Sequence, residues 1–151
     1  MKQIRSIAPA PEMATVETFH DDALGAKRGT NLIHVFEYGD MVLAHFGDLG
    51  HVLTEEQIEE IGPVDIALLP VGGFYTIDPQ QAMEVAQQVE ARVIIPMHYR
   101  TEEFGFDVIA RLDDFVKQYE DIEFAGTDTV EFMLDDEEPE VLILTPSALE
   151  K

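Results

Sequence analysis

The chain has 151 residues, 46% of them apolar, with 31 acidic against 9 basic residues and a net charge of −22. That length suits one domain with a real core and is too short for two ordinary ones. Such a charge repels nucleic-acid phosphates and anionic membranes, so neither is an expected partner.

No apolar run approaches the length of a membrane span, and the opening Met-Lys-Gln-Ile-Arg leads into no signal-peptide core. A cytoplasmic protein is expected. With no cysteine, any metal must be held by histidine and carboxylate alone. The acid excess also suits a high-salt cytoplasm, where repulsion is screened, although ordinary bacteria make acidic proteins too.

In chain order, residues 2–7 read as a short strand and APAPE as a loop, because proline supplies no ladder donor. ATVETFH (14–20) alternates like a strand, and DDALGAKRGT has the acids and glycines of a loop. NLIHVFEY (31–38) and MVLAHFG (41–47) flank Gly39-Asp40, a two-residue hairpin signal. Thr54 and Gln57 fit a capping box that opens a short acidic helix. VDIALLP (64–70) and RVIIP (92–96) are continuous apolar runs, as in strands buried on both faces. Asp78 before Pro79 predicts a helix start, continued by AMEVAQQV.

FDVIARLDDFVKQY (106–119) places Phe106, Ile109, Leu112, Phe115, Val116 and Tyr119 at helical spacing, which predicts a helix. IEFA, TVEFM and EVLILT supply closing strands, with the acidic DDEEPE as a solvated turn. The order predicts one α/β domain with a mixed sheet and helices packed on one face.

Three metal-ligand side chains end apolar runs: His20 in VETFHDD, Asp48 in AHFGDLGH and His98 in PMHYRT. Strand ends are where α/β sheets usually bind ligands. Two imidazoles and a carboxylate suit Zn²⁺, Mn²⁺ or Fe²⁺. The plainer reading is three polar residues capping strand ends.

HDDALGAKRGTN, HFGDLGH, VDIALLPVGGFYTID and VIIPMHYRT, in this order, resemble the C-terminal half of a metallo-β-lactamase-fold hydrolase. The nearest group is the one similar to ascorbate-6-phosphate lactonase, and the match runs from about residue 14 to the C-terminus. The resemblance implies half of an αββα sandwich, with residues 1–151 as a single domain. It also implies hydrolysis of a lactone, ester or phosphate-type bond by a metal-activated hydroxide. Up to two ions, Zn or Mn, are then expected, about 3.5–4 Å apart.

Carried over residue by residue, His20 matches a later histidine of the first metal, Asp48 the bridging carboxylate and His98 the last histidine of the second. The family's upstream H-x-H-x-D-H motif occurs nowhere in this sequence, so the domain is expected to lack that N-terminal half. A lone half would leave an apolar sheet face in water. The expected consequences are a homo-oligomer, pairing with a separate N-terminal half, or the remnant of a truncated gene. A non-catalytic dimerising or ligand-binding module is the alternative to an enzyme.

His45 and His51 flank GDLG, either supporting Asp48 from behind or simply packing; His34 reads as structural. Lys27, Arg28 and Arg100 are three of only nine bases, all in loops beside the candidate ligands. They favour a small anionic substrate, or else pair with Asp21, Asp22, Glu102 or Glu103. Tyr75 and Tyr99 either reach that substrate or pack beside the core. Thermal melts bear on the charge: a chain adapted to high salt melts lower as salt is withdrawn, whereas an ordinary acidic protein holds its melting temperature.

Overall fold

The computed structural model describes residues 11–131 and 138–147. The strand read at 2–7, residues 132 and 133 of TVEFM and the first half of DDEEPE lie outside the described residues. Strands β1 (Glu12–Phe19), β2 (Thr30–Tyr38) and β3 (Met41–His45) form an antiparallel meander. Gly39, at a φ of 61°, turns the β2–β3 hairpin where its sequence predicts.

Helix α1 (Glu55–Ile61) leads to β4 (Ile66–Pro70), and α2 (Pro79–Gln88) to β5 (Val93–Met97). Then come α3 (Leu112–Val116), β6 (Ile122–Phe124) and β7 (Val141–Ile143). The seven strands form one mixed sheet in the order β1-β2-β3-β4-β5-β7-β6, parallel from β3 onward.

Both predicted helix starts are present. The Thr54 side chain accepts from the Gln57 amide, and the Asp78 side chain from the Gln81 amide. Each Gln returns a bond to its cap residue's own amide, closing a capping box.

Strand alternation divides the core between two faces. Ala67 and Leu69 of β4 pack with Ile33, Ala44, Val85 and Phe115 beneath the helices, whereas Ile66 joins Val93, Ile95 and Leu142 on the opposite face. That second face is therefore buried around β4, β5 and β7. Its exposed apolar side chains among the described residues lie toward the β1–β2 edge, at Met13 and Leu32.

The helix expected over 106–119 is confined to Leu112–Val116. Tertiary hydrogen bonds take the backbone that the helix would need. The Ala110 amide donates to the Gly72 carbonyl, Arg100 to Ala110, and Leu112 to Arg100. Phe106 is accordingly solvent-exposed, while Ile109 is buried. Thr129, Val130 and Glu131 are likewise irregular rather than a strand.

Tyr119 packs its ring 5.2 Å from Phe115. Burial, with Glu140 nearby, pushes its hydroxyl up to about 12; burial also raises Tyr99. The unfolded chain thus loses these protons first, and stability falls as pH rises from 10 toward 12. Tyr119→Phe should shallow that fall in urea titrations at alkaline pH; an unchanged slope would contradict it.

Candidate metal centre

The topology gathers the candidate ligands on one edge. Because β1 and β3 both run antiparallel to β2, and β4 and β5 run parallel to β3, the carboxyl ends of all four point the same way. His20, Asp48, the Gly72-Gly73 loop and His98 follow these ends. His20, Asp48 and His98 line one cavity of about 360 Å³, with Tyr75, Phe106 and Ile109 among its other walls.

Asp48 and His98 meet directly, Nδ1 of the imidazole lying 3.2 Å from Oδ1 of the carboxylate, both half-exposed. Two ligands of one tetrahedral ion, at bond lengths of about 2.0–2.1 Å, stand about 3.3 Å apart. The pair therefore fits one side of a divalent-metal site in both chemistry and spacing. His20 comes from β1, two strands beyond β3 in the sheet. Among the described residues, no group of three or more histidines and acids is gathered closely enough to hold a metal. The fit is that of a two-donor anchor, with His20 on the same cavity wall.

Two glycines allow these approaches. A Cβ on Gly50 would collide with the His20 and Asp21 backbone, and one on Gly72 with the His98 carbonyl oxygen. Gly50 also donates its amide to the Phe19 carbonyl at 2.9 Å, docking GDLG onto the end of β1. His98 itself has a φ of 55°, a left-handed conformation uncommon outside glycine.

Asn31, at the start of β2, holds the loop from the other side. Its Oδ1 accepts the Asp48 amide at 2.9 Å, and its Nδ2 lies 2.9 Å from Thr18 Oγ1 and 3.0 Å from the Phe46 carbonyl. Neither Asn31 nor buried Thr18 carries a local sequence signal, since the bonds join residues 13 to 17 positions apart.

His45 accepts the Gly47 amide on Nδ1 at 3.1 Å, beside Asp48. Burial, then the neighbouring His34 and His98, hold its pKa below the usual histidine range, with Asp48 pulling upward. His51 instead supports the end of β1. Its Nε2 accepts the Phe19 amide at 3.1 Å, and Nδ1 pairs with the Val52 carbonyl at 2.7 Å. Its accepting Nε2 assigns the proton to Nδ1.

The four candidate substrate contacts separate. Lys27 pairs with Asp22 at 2.7 Å, and Arg100 donates Nε to the Ile109 carbonyl at 2.8 Å, bracing the 98–111 loop. Arg28 lies over the Tyr75 ring, 5.6 Å from its centroid, and Tyr75 lines the cavity. Buried Asp21 accepts the amides of Ala23, Gly25, Lys27 and Arg28. Burial raises its pKa, but those four amides outweigh it and hold the carboxyl well below its ordinary range. Asp21 thereby shapes the loop that presents Arg28.

A model of the β-lactamase superfamily domain matches residues 7–98. The UPF0173 metal-dependent hydrolase of Thermoplasma acidophilum is 36% identical over 96 residues, covering 64% of this chain and 41% of the relative. That of Hyperthermus butylicus is 30% identical over 139 residues, covering 92% and 54%. A solved candidate Zn-dependent hydrolase of the metallo-β-lactamase superfamily from Thermotoga maritima superposes with a TM-score of 0.76 at 42% identity, covering 87% of this chain and 63% of that one. The chain thus spans about two fifths to two thirds of the length of these relatives.

Asn31→Ala should destabilise the protein by about 1–3 kcal/mol in urea unfolding, because it strips partners from the Asp48 amide and the Phe46 carbonyl. A loss near zero would mean that the carboxamide does not hold the loop.

Proposed function

The chain belongs to the β-lactamase superfamily, and from that membership we propose that it contributes to the metal site of a hydrolase acting on a small anionic substrate. The observation that carries this reading is the Asp48–His98 pair, 3.2 Å apart, beside His20 on the walls of one cavity. Asp48 and His98 would hold a divalent ion, Zn or Mn, with His20 beside them on the same cavity wall. A bound ion of this kind supplies Lewis acidity and activates water near neutral pH.

The chain's own groups account for the rest. Gly73 lines the cavity, where a substrate would meet its backbone. Arg28 attracts the anion, Tyr75 orients it, and the apolar wall limits water. The bond broken would be a lactone, ester or phosphate-type bond. The remaining ligands, in this reading, come from outside this sequence, on a separate N-terminal half or a second copy.

One observation favours a second reading. The described residues gather no set of three ligands, as a non-catalytic ligand-binding or dimerising module or a truncated remnant would not.

Metal analysis by mass spectrometry separates the two. The purified protein should carry about one equivalent of Zn or Mn or more, and His98→Ala should lose it. Metal-free protein after loading with either ion would support the second reading.

A further inference from the structure

The cavity combines His20, Asp48 and His98 with the aromatic and apolar side chains of Tyr75, Tyr99, Phe106 and Ile109. Large apolar side chains normally leave water, yet eight in the described residues are exposed, and five of these occupy the three loops after β1, β4 and β5. They are Leu24, Phe74, Tyr75, Phe106 and Val108. Those same loops contribute His20, Tyr75, Phe106 and His98 to the cavity.

Backbone geometry maintains this exposure. Phe74 has a φ of 62°, in the left-handed region, and its ring meets Tyr75 edge-on at 4.7 Å. Phe106 lies in the segment that the bonds of Arg100, Ala110 and Gly72 keep out of a helix.

Arg28 supplies the second, independent feature. In a chain of charge −22 its guanidinium has no carboxylate partner among the described residues; it rests on Tyr75 instead. The nearby acids are otherwise engaged: Asp21 with four amides, Asp22 with Lys27 and Asp78 with the α2 amide. A cation stacked on an aromatic ring keeps its outer N–H groups available to an anion.

We propose that this cavity takes an amphiphilic anion, an alkyl or aryl group joined to a carboxylate or phosphate. The apolar body packs on Tyr75, Phe106 and Ile109, and the charged end meets Arg28. The inference rests on reading the cavity as the substrate site and narrows the substrate class. Hydrophilic anions, such as sugar phosphates, leave the Phe106 wall unused.

The test is calorimetric titration of the full chain in excess chelator with octanoate, acetate and 1-octanol. Octanoate should bind at least about tenfold tighter than acetate, from its added buried methylenes. Phe106→Ala should weaken octanoate several-fold, and Arg28→Gln should weaken octanoate while leaving octanol unchanged. Both side chains are exposed, so neither substitution disturbs the core.

Equal affinity for octanoate and acetate overturns the proposal. So does an Arg28→Gln effect of the same size on octanol. If Phe106→Ala instead changes only the mass in light scattering, the apolar loops belong to an interface between copies, and the proposal again fails. Because chelator removes any ion, these outcomes are independent of whether the hydrolase reading holds.

Discussion

One carboxamide joins the parts of the structure that bear the candidate ligands. Asn31 stands where β2 begins, at the same sheet edge where β1 and β3 end. From there it bonds Thr18 of β1, the Phe46 carbonyl beyond β3 and the Asp48 amide. An amide side chain has two donors and an acceptor on a rigid plane, so it can engage three groups at once. Gly47 belongs to the same arrangement, with a φ of 60° and no room for a Cβ against Asn31. Asp48 is thus placed by its backbone, leaving its carboxylate half-exposed toward His98.

Around this anchor, strained backbone gathers at the cavity. Four non-glycine residues have positive φ among the described residues, and Leu24, Phe74 and His98 are in the cavity loops. Such conformations cost on the order of 1–3 kcal/mol each and persist where the surroundings hold them. At His98 the surroundings are clear: its carbonyl lies against Gly72, and the 98–111 loop returns to Gly72 through Ala110. The strain turns the imidazole toward Asp48 rather than along the strand.

Much of this was legible locally. Gly39-Asp40, both capping boxes and the apolar runs of β4 and β5 depend on neighbours within a few residues. The ends of strands also identified His20, Asp48 and His98, which the fold brings to one cavity. Asn31 was silent because its partners are long-range and an asparagine opening a strand looks unremarkable. The 106–119 segment misled in the opposite direction: Ile109 and Leu112 have helical spacing, but Ile109 is buried through loop contacts. Periodicity reports which residues are buried, and only tertiary hydrogen bonds decide how the backbone carries them. Lys27 takes the pairing with Asp22 that its sequence neighbourhood offered as one of two readings, whereas the Ile109 carbonyl claims Arg100 only once folded.

In this reading Asp48 and His98 form a ready-made anchor for a divalent ion. Anomalous diffraction from crystals grown with Zn or Mn tests it most directly. A peak is expected within bonding distance of both Asp48 and His98, in the cavity that His20 also lines. A peak bound only at surface acids, with the Asp48–His98 contact unbroken, would contradict it.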